Sequence, residues 1–107
     1  MDVIKYAHPS EQVLLNPDFQ DVLPSGDSTL ANIGAGSTIT ATRSDGSDAD
    51  AVLFTKTRTN KVLSCILKNL VDGEEYTVTF LGQGASSTER FVKTYLVLVR
   101  KGLTGEF

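Results

Sequence analysis

The stretch Leu67-Lys-Asn-Leu70-Val-Asp-Gly73-Glu-Glu-Tyr76-Thr-Val-Thr-Phe80 decides the fold that this sequence predicts. It starts at the end of an apolar strand and enters a turn at residues 71–74, where Gly73 is free to adopt a positive φ. After the turn, apolar side chains occupy alternate positions from Tyr76 to Phe80, which places them on one face of a second strand. The stretch therefore predicts two strands joined by a tight corner.

The spacing Leu67-x-x-Leu70-x-x-Gly73-x-x-Tyr76 resembles the tyrosine corner of immunoglobulin-like and fibronectin type III sandwiches. In those folds the tyrosine hydroxyl bonds to backbone upstream and fixes where the chain crosses between the two sheets. We therefore assign these four residues a structural role at the corner. We expect the Tyr76 hydroxyl to hydrogen-bond the backbone rather than to take part in catalysis.

Length and composition predict one domain that is stabilised by packing alone. A chain of 107 residues builds one core without disulfides or metals, and its single cysteine, Cys65, has no partner for an internal disulfide. The net charge of −3 argues against a nucleic-acid partner, which requires a basic face. No apolar run approaches the length of a membrane span, and the first residues lack signal-peptide features, so we expect no membrane partner and no export by its own signal.

Turn residues divide the chain into short strands, and no segment shows sustained helical periodicity. We expect strands at residues 11–19, 28–33, 37–42, 51–57, 61–67, 76–81 and 88–100. This pattern predicts an all-β protein with a single immunoglobulin-like antiparallel β-sandwich of about seven strands over residues 11–101. Residues 1–10 are expected to be a lead-in, and residues 102–107 a flexible tail. The predicted core consists of Leu63, Cys65, Leu67, Leu70, Val78, Phe80, Val97 and Val99.

The residues that carry chemistry in enzymes do not form a recognisable set in this sequence. One histidine, one cysteine and scattered acids do not supply a nucleophile, a base and an orienting group. The adjacent acids Glu74 and Glu75 point to opposite faces of a strand. The acidic loop at residues 43–50 departs from the calcium-loop template and is best explained as a solvated connection. We predict no enzymatic activity, no cofactor and no metal.

The last strand carries more apolar residues than one buried face requires. Both of its faces are apolar near its end, so something must cover part of the second face, either the N-terminal segment or another subunit. The tail ends on an aromatic residue that is either disordered or docked on a partner. We therefore predict Phe91, Tyr95 and Phe107 as candidate contact residues.

The order of elements along the chain resembles small immunoglobulin-like proteins encoded among the structural genes of tailed phages and prophages, described as fibre–tail adaptor or neck-region proteins. The resemblance covers roughly residues 3–101 and rests on Asp18-Phe19, Leu23, Gly26-Asp27, the threonine-rich strand to Thr42, the Leu67–Tyr76 spacing, a strand rich in Thr and Val, a Gly/Ser loop, Glu89-Arg90-Phe91 and Leu96-Val-Leu-Val99-Arg100. The second half is also similar to fibronectin type III modules.

The resemblance implies a non-enzymatic virion component that folds in the bacterial cytoplasm and is then built into the tail or neck of the particle. Its partners would be other phage structural proteins or copies of itself, with a homo-oligomer as one form. Copies in a ring would use heterologous contacts that close by rotation. The alternative is an immunoglobulin- or fibronectin-like binding module that recognises a protein or a glycan, although the chain has no tryptophan for a sugar platform.

Overall fold

The protein is a sandwich of two β-sheets. The structure, a computed structural model, describes residues 2–100. Within that range the strands are β1 (Asp2–Ala7), β2 (Val13–Leu15), β3 (Thr38–Arg43), β4 (Leu53–Thr59), β5 (Val62–Leu67), β6 (Glu75–Gln83) and β7 (Arg90–Val99), with a 3-10 helix at Asp50–Val52 before β4. One sheet has the strand order β1-β7-β6-β3, and the other has the order β2-β5-β4. The all-β sandwich predicted from the sequence is confirmed.

The core lies between the sheets and follows the alternation of the sequence. On β5 and β6, every second side chain is buried, and the intervening ones are half-buried on the outer faces. The predicted core residues are all buried: Leu63, Cys65, Leu67, Val78, Phe80, Val97 and Val99 at 0% exposure and Leu70 at 5%. Period-two patterning is sufficient to find these residues because successive side chains of a strand point to opposite faces.

The N-terminal segment is a strand, and the expectation that residues 1–10 form a lead-in is wrong. β1 pairs with β7 in parallel, from Asp2 opposite Thr94 to Ala7 opposite Val99. The other strand pairs of the sandwich are antiparallel. Pro9 does end regular structure, as the sequence indicates, but it lies after the strand.

The long connection between β2 and β3 takes the place of one predicted strand and of the end of another. The first expected strand is shortened to β2, and the segment at 28–33 makes only single bridges, from Leu30 to Gly84 and from Ile33 to Ser37. The connection is held by buried side chains, with Phe19 at 0% and Leu30 at 1% exposure. Their backbone N–H groups donate to the Lys61 and Asn60 carbonyls at the β4–β5 turn, each over 2.8 Å.

A buried carboxylate joins this connection to the loop between β6 and β7. Asp27 is 1% exposed, and its Oδ1 accepts hydrogen bonds from the backbone N–H of Ser86 at 2.8 Å and of Ser87 at 2.9 Å. The Ser87 hydroxyl donates to Oδ2 over 2.5 Å. These hydrogen bonds lower the pKa of Asp27 below its ordinary value because they stabilise the charged form, and the bond from the Ser87 hydroxyl has the largest effect. The ionised carboxylate therefore ties two loops that are distant in sequence.

Candidate protein-interaction surface

Apolar side chains form a strip on the outer face of the four-stranded sheet, interrupted on β7 by Thr94. We call this the outer strip; it consists of Ile4 and Tyr6 on β1, Val92, Leu96 and Leu98 on β7, and Leu81 on β6. The register places Ile4 beside Leu96 and Tyr6 beside Leu98. Ile4 is 56% exposed, Tyr6 62% and Val92 53%, while the three leucines are half-buried. The strip therefore presents branched and aromatic side chains to solvent along two adjacent strands.

The strip arises because β7 is apolar on both faces. Val97 and Val99 point into the core, so Leu96 and Leu98 point outward. Beyond β7 the same outer face becomes threonine-rich, with Thr77 and Thr79 on β6 and Thr38, Thr40 and Thr42 on β3. The strip is consequently bounded on one side by polar side chains that suit a solvated sheet face.

Ion pairs lie at the end of the strip where β7 leaves the sheet. Glu75 is the register partner of Leu98, and its Oε2 lies 3.2 Å from an Arg100 guanidinium nitrogen. A second pair joins Arg43 to Glu74 over 3.4 Å. An apolar centre with a charged rim is the usual anatomy of a protein–protein interface.

The structure places two of the predicted contact residues on the opposite face of β7. Phe91 and Tyr95 are half-buried and pack against the core. The Tyr95 ring meets Phe80 edge to face, with centroids 5.5 Å apart and planes at 72°, and burial raises the pKa of its hydroxyl. The outward-facing apolar side chains of β7 are instead those of Val92, which is exposed, and of Leu96 and Leu98, which are half-buried. Phe107, the third predicted contact, lies outside the described residues.

The predicted corner has the geometry expected of it. Leu67 and Tyr76 are fully buried, Leu70 is 5% exposed, and Gly73 adopts a φ of 86°. The Tyr76 hydroxyl accepts a hydrogen bond from the backbone N–H of Val71 at 3.3 Å. The bond to upstream backbone therefore exists, with the hydroxyl as acceptor, and the corner is structural.

A cleft of about 380 Å³ opens between the start of β7 and the connection that follows β2, next to Val3, Pro17 and Val22. Lys93 and Asp21 in its lining form an ion pair, and the Asp18 carboxylate accepts from the Gln20 N–H at 2.8 Å. Lys93 Nζ donates to the Asp18 carbonyl at 2.7 Å and to Asp21 Oδ1 at 2.8 Å, and it lies 5.4 Å from the centre of the Phe19 ring. The Lys93 hydrogen bond lowers the pKa of Asp21. Lys93 thus fixes the connection against β7.

The carboxylates of the acidic loop serve as backbone acceptors. Asp45 accepts from Ser47 N–H, Asp48 from Asp50 N–H, and Asp50 from Ala41 N–H, over 2.7 to 2.9 Å. Across residues 2–100, no three His, Cys, Asp or Glu side chains lie together as metal ligands would. The Cys65 thiol is buried, which raises its pKa to about 11, so it is held as a neutral thiol.

Neither the known family models nor the curated proteins contain a match to this sequence. In the part of the chain that the structure describes, no helix has the length and apolar character needed to cross a membrane.

Proposed function

We propose that this protein is a non-enzymatic structural or adaptor component of a phage or prophage particle, in its tail or neck region, that acts through protein–protein contacts. The outer strip is the observation that carries this proposal. The order of elements that resembles the phage immunoglobulin-like proteins supports the particle context, and the two-sheet sandwich agrees with that resemblance.

The strip has the composition of a surface that pairs with protein. Each square ångström of apolar surface removed from water contributes about 25 cal/mol, and the most exposed strip residues are large, with Tyr6 at 62% and Ile4 at 56%. Tyrosine is enriched at interfaces because it buries a large ring at small entropic cost. The strip lies on regular strands, so its side chains are held in a fixed arrangement before a partner arrives.

The partners in this proposal are copies of the same chain or other virion proteins, met after folding in the bacterial cytoplasm. The domain does not depend on oxidation, because its cysteine is a buried thiol within the core. This property suits assembly in a reducing compartment.

The test is the solution mass over a concentration series, measured by light scattering after size exclusion. We expect a discrete oligomer for the wild-type chain. Val92→Lys places a charge in the strip and should reduce the mass, while Val71→Lys is a matched control, since both valines are 53% exposed and Val71 lies at the corner turn. Equal behaviour of the two variants would exclude the strip as the interface. A strict monomer that binds glycans in titration would overturn the proposal in favour of a binding module.

A further inference from the structure

We propose that β1 is an exchangeable strand, so that β1 of one copy pairs with β7 of another copy. This inference rests on the proposed function, because it specifies one partner, a second copy of this chain, and the segment through which that partner is engaged. In the structure, β1 pairs with the edge of β7 along residues 94–99 of the same chain, so a second copy of β1 would fit the same edge.

The first support is the way in which β1 is held. Of its side chains that the structure describes, only Ala7 is buried, whereas Val3 is 39%, Ile4 56% and Tyr6 62% exposed. The strand is attached mainly by its backbone ladder to β7, and the Ala7 carbonyl extends that ladder by accepting from Arg100 N–H at 3.0 Å. Parallel pairing is slightly less stable per residue than antiparallel pairing. Release of β1 therefore disturbs little of the core.

The second support is that β7 requires a strand on this side. β7 lies between β6 and β1, and its C-terminal half carries buried Val97 and Val99 next to the outward-facing Leu96 and Leu98. Without β1, this half would present unpaired N–H and C=O groups beside apolar side chains. Such an edge is a template for pairing with another chain.

The third support is the connection between β1 and β2, which has the properties of a hinge. Residues 8–11 form a surface turn in which Glu11 N–H donates to the His8 carbonyl at 2.9 Å and His8 N–H donates to Glu11 Oε1 at 2.6 Å. Pro9 favours an extended His8 when the turn opens. The five residues 8–12 then span about 17–18 Å at ~3.3–3.6 Å per residue, which is enough to carry β1 away from its own sheet.

Exchange keeps the same contacts in both forms, so concentration decides between them. Within one chain, β1 competes with the β1 of other copies for the edge of β7. Its short connection gives it an effective concentration that is roughly millimolar. Copies held side by side in a ring or stack reach comparable local concentrations. Reciprocal exchange closes a dimer, and sequential exchange links each copy to the next.

The experiment uses full-length chains with engineered cysteines. Ile4→Cys in one ¹⁵N-labelled chain is mixed with Leu96→Cys in an unlabelled chain, since these positions are register partners. Adjacent strands lie ~4.8 Å apart, within disulfide reach. Val92→Cys is the matched control. Position 92 is on the same face of β7 but lies four residues, or roughly 13 Å at ~3.3 Å per residue, from position 96 along the strand. The native Cys65 is 0% exposed and does not compete.

We expect mixed disulfides, identified by mass spectrometry, to form several-fold more with Leu96→Cys than with Val92→Cys. A chain carrying both Ile4→Cys and Leu96→Cys, oxidised when dilute, locks β1 onto its own β7. It should stay monomeric when concentrated and regain association when reduced, and the reduced form controls for the altered side chains. Unchanged association of the oxidised form would overturn strand exchange and leave the outer-strip interface standing. Absence of association in every form would overturn both.

Discussion

The corner offers the sharpest test, through Tyr76→Phe. The variant keeps the buried ring and removes only the hydroxyl that accepts the Val71 N–H at 3.3 Å. Because the ring is retained at a position with 0% exposure, no cavity term enters. The change in stability then reports the hydrogen bond alone.

The size of the effect follows from the geometry of that bond. Its length of 3.3 Å exceeds the usual range of about 2.7–3.2 Å. The donor belongs to a turn whose Val71 side chain is 53% exposed, so water can replace the lost acceptor. We therefore expect a loss of about 1 kcal/mol, near the centre of the net contribution of a protein hydrogen bond. With a urea slope of about 1–3 kcal/mol/M, the unfolding midpoint should fall by roughly 0.3–1 M.

The assay is urea unfolding followed by far-UV circular dichroism, because the chain has no tryptophan to report by fluorescence. Tyr6→Phe is the control, since that ring is 62% exposed on the sheet face. If Tyr76→Phe unfolds at the same urea concentration as the wild type and the control, the hydrogen bond between Tyr76 and Val71 does not stabilise the corner. The tyrosine would then act only through its ring.

Two further predictions concern the loops joined by Asp27. Its lowered pKa means that its contribution to stability is complete above the ordinary value of 3.8 and is lost as the pH falls through that value to the folded pKa. The stability advantage of the wild type over Asp27→Asn should therefore be larger at pH 7 than at pH 3 in urea titrations, and an equal difference at both pH values would contradict this. Gly84→Ala should cost about 1–3 kcal/mol by overpacking, because a Cβ there would meet the Asp27 carboxylate, whereas Gly26→Ala has nothing within 4 Å of its Cβ and serves as the control. Thermal unfolding of the two variants compares them directly. Similar melting temperatures would show that the contact between residue 84 and the Asp27 carboxylate does not limit the side chain at position 84.

The features that were predictable from the sequence are those whose signals are local. Gly73 and Tyr76 lie within one short stretch, so turn chemistry and alternation together located the corner. The buried faces of β5 and β6 could be predicted from the alternation of apolar residues, because only one face of each strand packs against the core. Leu63 and Phe80 could therefore be placed in the core without knowledge of which strands are neighbours.

The features that were missed depend on residues distant in sequence. Nothing near Ile4 or Tyr6 indicates that their strand pairs with β7, since that partner is at the other end of the chain. On β7, Tyr95 shares the face of the predicted core residues Val97 and Val99, and its contact with Phe80 shows that it points inward with them. Asp27 resembles an ordinary turn residue in the sequence, and its burial depends on Ser86 and Ser87 in a loop that the local pattern cannot bring close.

The pairing of β1 with β7 also determines the order in which the domain is completed. Among the strands that the structure describes, β1 is synthesised before the others, and its partner β7 after them. At ~5–20 residues per second, the ribosome leaves β1 without that partner for about 5–20 s. Closing the longest loop of the domain also carries the largest entropic cost of its strand pairings. Of the described strands, the one that emerges earliest is therefore the one whose partner emerges latest, and a neighbouring nascent copy has that interval in which to meet it.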